Sequence, residues 1–313
     1  MKWFTDYTLV EFPKLGLDFN VYENLVEFTL PGWDIDITIK FYGVIIAFGF
    51  TLAVLFGGRM AYVWKMSIDK MLDVLIYGTF GGIIGARLYY VAFQWDSYKD
   101  DLLSIFKIWE GGLAIYGGII GGFLAAYFVC KKIDLNFYKL LDLAGMSLLI
   151  GQGIGRWGNF TNQEAFGINT DSVFGMTSEK ISDYISSHYA TLTANGISID
   201  STAPVHPTFL YESVWCLLGF FVLYIVCKKY RKFDGQLILG YGIIYGFERF
   251  LVEGLRTDSL YIGDTGLRVS QVLSLGIVVA CASLMAVNLI LFLLFNLHKS
   301  YNHQCCTSNY NCK

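Results

Sequence analysis

Charge is what this sequence has least of. Only 16% of its 313 residues are Asp, Glu, Lys or Arg, while 55% are hydrophobic, and the mean hydropathy is +0.49. A soluble domain carries about 25% charged residues, so much of this surface must face something other than water. The basic residues form no long run and the net charge is −3, which argues against a nucleic-acid partner. Seven cysteines occur without CxxC or His/Cys ligand spacing, so neither a metal site nor a disulfide framework is expected. Cys130, Cys216, Cys227 and Cys281 lie in or beside apolar stretches, where packing accounts for them. Cys305, Cys306 and Cys312 fall in a polar tail. The first forty residues mix Asp6, Glu11, Glu23 and Glu27 with aromatics. They lack a basic segment ahead of an apolar core, so no cleaved signal peptide is expected.

What is abundant is long apolar runs. A membrane span needs about 20 mostly apolar residues, and candidates fall at 41–58, 72–94, 112–130, 140–158, 209–227, 236–254 and 269–297. The expected fold is therefore an all-α polytopic membrane protein of about seven helices. Lys and Arg in short loops stay cytoplasmic. Arg59, Lys65 and Lys70 follow the first run, Lys131, Lys132 and Lys139 the third, and Lys228, Lys229, Arg231 and Lys232 the fifth. Alternate loops, Asp96 to Asp101 and Asp258 to Asp264, are acidic or mixed. This pattern places the N-terminus outside and the C-terminus inside. Residues 1–40 then form an external N-terminal segment, 41–297 a membrane domain and 298–313 a cytoplasmic tail. A polar stretch, 159–207, is inserted as a small external head, with a short helix expected over Glu179 to Tyr189 and too little chain for an independent domain. Glycines at 78, 81, 82, 85, 117, 118, 121 and 122 suit close helix packing. Gly151-Gln152-Gly153-Ile154-Gly155 follows no strand and lies inside a span, which excludes a dinucleotide loop.

Arg87, Arg156 and Arg249 each interrupt an apolar run. An arginine near mid-bilayer costs at least ~2.5–3.5 kcal/mol on insertion scales, unless it snorkels from a helix end. At 1.5 Å per residue, Arg87 and Arg249 lie ~20 Å from the cytoplasmic ends of their helices, and Arg156 stands at the outer end of its own. Tyr42 and Tyr116 begin spans at that same depth. Tyr241, Tyr245, Arg249 and Glu253 recur every fourth residue with Arg256 a turn beyond, and Asp142, Gln152, Arg156 and Asn159 share an approximate face. These stripes are either salt-bridged scaffold or a site for an anion among helices. Guanidinium forks suit phosphate, which in a membrane is carried by a phospholipid headgroup.

The run Gly155-Arg156-Trp157-Gly158-Asn159-Phe160-Thr161-Asn162-Gln163-Glu164-Ala165-Phe166-Gly167 resembles the signature of the prolipoprotein diacylglyceryl transferase family. Gly111 to Gly122, His206-Pro207 through Tyr211-Glu212, and Tyr245 through Arg249, Glu253 and Arg256 fit in order, so the resemblance covers about residues 36–290. Thr161 replaces a usual apolar residue, and Tyr116 stands where many members have histidine before Gly-Gly. The resemblance implies transfer of the diacylglyceryl group of phosphatidylglycerol to the lipobox cysteine of a prolipoprotein, in the bacterial inner membrane, without a cofactor.

On that reading Arg156 and Arg249 hold the phosphate, supported by Asn159 and Tyr245. Glu164 and Glu253 orient arginines or act as bases, and Tyr116 positions the headgroup. Arg87 is either structural or part of the substrate site, which also takes in Tyr42, Asn162, Gly167, His206 and Arg256. For His206 an interfacial role beside Pro207 is the alternative. The competing class is a transporter or channel for an anionic solute. Arginines clustered at one depth, and a signature running on into the head, argue against it.

Overall fold

The computed structural model describes residues 2–30, 35–263 and 265–308. Asp264 and Cys312 lie outside them, as do the side chains of Cys305 and Cys306. The chain forms two compact units, Met1–Val54 with Gly145–Lys313, and Leu55–Ala144. In order, the elements are β1 (Lys2–Phe12), β2 (Leu17–Leu30), β3 (Ile35–Lys40), α1 (Phe41–Val63), α2 (Ile68–Phe93), α3 (Trp95–Tyr98), α4 (Ile115–Lys132), α5 (Phe137–Asn162), β4 (Thr177–Ser178), α6 (Glu179–Ser187), α7 (Tyr189–Ala194), α8 (Thr208–Lys229), α9 (Gln236–Glu253) and α10 (Val269–Ser308).

Each expected span coincides with a long helix. Four of them, α1, α2, α8 and residues 269–298 of α10, are long and apolar enough to cross a membrane. The remaining three, α4, α5 and α9, carry what lowers their apolarity: a Lys131-Lys132 end in α4, Asp142, Gln152 and Arg156 in α5, and Glu248, Arg249 and Glu253 in α9. Exposed apolar side chains run along α10, among them Leu291, Leu294 and Phe295. Apolar faces of that extent on long helices are the mark of a lipid-facing surface. The chain is a multi-pass membrane protein.

The all-α expectation needs correction. β1, β2 and β3 form three antiparallel strands, and β4 from the polar insertion adds a fourth, in the order β3-β2-β1-β4. β1 and β2 pair as a hairpin from Lys2↔Glu27 to Phe12↔Leu17, turned at Gly16 with φ +62°. Val10 pairs with Ser178, tying the N-terminal segment to the insertion. Val10, Phe12 and Val21 pack with Phe166, Met176 and Ile185 in one apolar core. The N-terminal strands thus share that core, supplying three of its twelve buried apolar residues. The expected short helix is α6, capped by the Ser178 hydroxyl, which accepts from Ile181 N.

In the unit Leu55–Ala144, α2 and α4 pack through their glycines. A Cβ on Gly85 would collide with the Gly117 carbonyl and stand 2.8 Å from Gly121 Cα. Close backbone approach of this kind is how helices associate in lipid. Gly151 to Gly155 lies inside α5, with Gly151 facing Gly49 of α1.

Candidate active site

Three helices of one unit bring the site together. Arg156 near the end of α5 and Arg249 on α9 converge on Glu212 of α8, with Arg156 Nη1 3.0 Å and Arg249 Nη1 3.6 Å from its carboxylate oxygens. Arg249 Nη2 also lies 2.5 Å from Glu253 Oε2, one turn along the same helix. The two guanidinium side chains keep 18% and 20% of their surface, whereas Glu212 is 1% exposed. Carboxylates therefore grip both cations from the buried side and leave the opposite side reachable. Held this way, a fork needs little reorganisation to meet an anion.

The rest of the α5–α9 frame is aromatic and amide. Tyr241 and Tyr245 stack with centroids 5.6 Å apart, and Gln152 Nε2 donates to the Tyr241 hydroxyl at 2.9 Å. Trp157 Nε1 donates to Ser213 Oγ at 3.1 Å, locking α5 to α8. Tyr42 packs against Gly158, where a Cβ would stand 2.8 Å from the ring.

Beyond α5 the signature leaves the helix and turns. Gln163 and Ala165 take φ of +54° and +58°, and Asn159 Nδ2 donates to Glu164 Oε1 at 2.9 Å. Gly167 then threads between two other loops: its N–H donates to His206 O at 2.9 Å, and Ile168 N–H donates to Leu255 O at 2.8 Å. A Cβ there would lie 2.7 Å from His206 Cβ. Only glycine permits the approach. His206 Nδ1 lies 3.1 Å from the Tyr211 hydroxyl, and burial lowers the pKa of its imidazole. Arg256 forms a bidentate pair with Asp258, at 2.8 and 2.6 Å. Burial alone would raise the Asp258 pKa, but the hydrogen bonds and charge of Arg256 outweigh it and hold it low. A cavity of about 450 Å³ opens beside the turn, lined by Asn162, Glu164, Lys180, Tyr184 and Asp258.

Arg87 and Tyr116 belong to the unit Leu55–Ala144. Each of the five N–H groups of Arg87 points at a backbone carbonyl: Nε at Ile105, Nη1 at Gly111 and Gly112, and Nη2 at Ser104 and Lys107, at 2.7 to 3.4 Å. Gly112 takes φ +75° and leaves room for the guanidinium. Of the two roles open to Arg87, this geometry favours the structural one, a clamp on the segment ahead of α4. Tyr116 is 42% exposed on the first turn of α4.

Sequence reasoning overlooked two residues of the cluster. Glu212 entered only as part of a matched stretch, and Glu248, 2% exposed on α9, did not enter at all. A carboxylate in an apolar run is as costly as an arginine, so the test applied to the arginines would have found both.

A family model for prolipoprotein diacylglyceryl transferase matches residues 32–287. Similar proteins named phosphatidylglycerol--prolipoprotein diacylglyceryl transferase include that of Listeria monocytogenes, 47% identical over 78% of this chain and 83% of the relative. That of Enterococcus faecalis is 44% identical over 82% and 87%, and that of Finegoldia magna 43% identical over 78% and 89%. The chain belongs to the prolipoprotein diacylglyceryl transferase family.

Proposed function

We propose that this protein transfers the diacylglyceryl group of phosphatidylglycerol to a prolipoprotein, onto the thiol of its lipobox cysteine. The observation that carries this reading is the convergence of Arg156 and Arg249 on Glu212, two largely buried but still reachable guanidinium groups from separate helices at one place. The thiol sulfur attacks the glyceryl carbon bonded to the phosphate ester oxygen. The S–C bond forms, the C–O bond breaks, and glycerol phosphate departs. Charge grows on the phosphate as the bond breaks, which is where fixed guanidinium donors stabilise the transition state most.

Asn159 and Tyr245 support the phosphate, and Glu164 orients Asn159. Glu253 holds Arg249, and Arg256 with Asp258 secures the turn after α9. Tyr42, Asn162, Gly167 and His206 shape the entrance, and Tyr116 positions the headgroup. The protein lies in the bacterial inner membrane with seven spans, its N-terminus and the 159–207 head outside and its C-terminus inside. The loop charges support that orientation.

The test uses purified protein in phosphatidylglycerol bilayers with a lipobox peptide, read by mass spectrometry. The peptide should gain one diacylglyceryl group on cysteine, with glycerol phosphate released in equal amount. A peptide left unmodified, or one modified equally when its cysteine is replaced by serine, would overturn the reading.

A further inference from the structure

The polar cavity of about 450 Å³ beside the signature turn takes its walls from four parts of the chain. Residues 162–166 come from the end of α5 and the turn after it, Lys180 and Tyr184 from α6, Asp258 from the turn after α9, and Glu23 from β2. The family match begins at residue 32, so the Glu23 wall precedes the matched region. Its volume falls in the range of ligand pockets. Its position follows from the helices that carry the two arginines. Asn162 is the last residue of α5, ~9 Å beyond Arg156 along the axis. Asp258 follows the end of α9, and the charge of Arg249 acts on it. The cavity therefore lies past the arginines, on the side of the 159–207 segment.

Most of its charges are already paired, Glu23 with Lys180 at 2.7 Å and Asp258 with Arg256 at 2.6 Å. Glu164 accepts from Asn159 and has no ion-pair partner among the described residues. Asn162 Oδ1 is buried, and among the described residues it has no hydrogen-bond donor. A buried acceptor without a donor is costly, and a ligand that brings N–H groups removes that cost. A phosphate does not: it brings further acceptors, and Glu23, Glu164 and Asp258 oppose its charge. The Tyr184 ring, edge-on to Phe166 at 5.5 Å and stacked on His188 at 4.3 Å, adds a firm wall for apolar contact. Acceptors with an aromatic wall suit a polypeptide better than a lipid headgroup.

We propose that this cavity holds the stretch of substrate polypeptide that follows the lipobox cysteine, extended, with its backbone N–H groups donating to Asn162 Oδ1 and Glu164. The inference rests on the transfer reaction proposed above. In a signal peptide the processing site follows the apolar core. The thiol therefore meets the phosphate at the arginines, while the polar chain beyond it leaves toward water. The cavity lies along that exit. An extended chain advances about 3.3 Å per residue, so about three residues past the cysteine span the distance from Arg156 to Asn162. The substrate is then held on both sides of its sulfur, which fixes the line of attack. Backbone recognition leaves the side chains free, so one cavity serves substrates of differing sequence.

Two peptides test this on the protein in phosphatidylglycerol bilayers: a lipobox peptide amidated at its cysteine, and the same peptide continued by a short uncharged segment. The longer peptide should show a KM about tenfold lower, the scale of one or two hydrogen bonds. Tyr184→Ala should erase most of that difference by raising KM for the longer peptide. Equal KM values in wild type, or a folded Tyr184→Ala that keeps the full difference, overturn the proposal. Contact is read without turnover. The longer peptide, with serine for cysteine and a benzophenone photoprobe at about the third residue past it, should cross-link to residues 162–166, 180–184 or 257–258. Cross-links confined elsewhere, or none, overturn the proposal whether or not the Tyr184 variant folds. Wild-type protein inactive on both peptides overturns the transfer reading, and the cross-links then decide the cavity alone.

Discussion

Arg156 reaches 3.0 Å from the Glu212 carboxylate, and that one contact ties the end of α5 to the start of α8. Lysine at position 156 would keep the charge and lose the planar fork, so one side chain can no longer face Glu212 and a phosphate together. Arg156→Lys should cut kcat/KM by about a hundredfold, the loss of roughly 2.7 kcal/mol of transition-state stabilisation. Initial rates, alongside a thermal melt to show that the variant remains folded, make the comparison. Near-normal turnover would return Arg156 to the scaffold.

Gly167→Ala tests the threading of the signature between its two neighbours. The new methyl group would lie 2.7 Å from His206 Cβ, and overpacking of this kind costs about 1–3 kcal/mol. A lowered Tm with weakened activity is expected, and an unchanged melt would show that the loops yield freely.

Glu23 joins β2 to its surroundings through Lys180 at 2.7 Å and Lys40 at 2.8 Å. Lys180 first and Lys40 second hold the Glu23 pKa below its usual value. A lowered carboxyl pKa contributes stability above its unfolded pKa of about 4.3, and that stability fades as pH falls through the folded value. The pairs are partly exposed, so Glu23→Gln should cost only about 0.2–1 kcal/mol at pH 7. The difference from wild type should vanish in acid and shrink in high salt. Melts at pH 7 and pH 3 test the sign.

Topology is open to reporter fusion. An enzyme active only in the cytoplasm should give signal when fused after the last residue, and none when inserted near residue 185. The reverse pattern would overturn the orientation that the loop charges support.

Tyr116 is 42% exposed. Its hydroxyl can donate to a phosphate oxygen as a histidine nitrogen does. Tyr116→His should therefore keep substantial activity, while Tyr116→Phe should lower turnover about tenfold to a hundredfold. Rates against pH for both variants decide it. Complete loss in the phenylalanine form, with an alkaline limb that histidine moves toward neutrality, would make Tyr116 the base.

The sequence by itself determined the seven long helices, because the hydrophobic run and the bilayer thickness are both local quantities. It also singled out Arg156 and Arg249, since a charge in an apolar run stands out wherever it occurs. Tertiary structure decided the rest. The period-two pattern of β1 is blurred by side chains exposed on both faces, and its partner β4 lies more than 160 residues away, so Val10↔Ser178 was not legible. Arg87 and Arg156 look alike in the chain, yet one meets five carbonyls and the other a carboxylate. Glu212 gains its meaning only when α5 and α9 bring both arginines to it. A side chain's cost in the membrane is set by its own chemistry, but its partners are set by which helices pack, and only the assembled fold decides that.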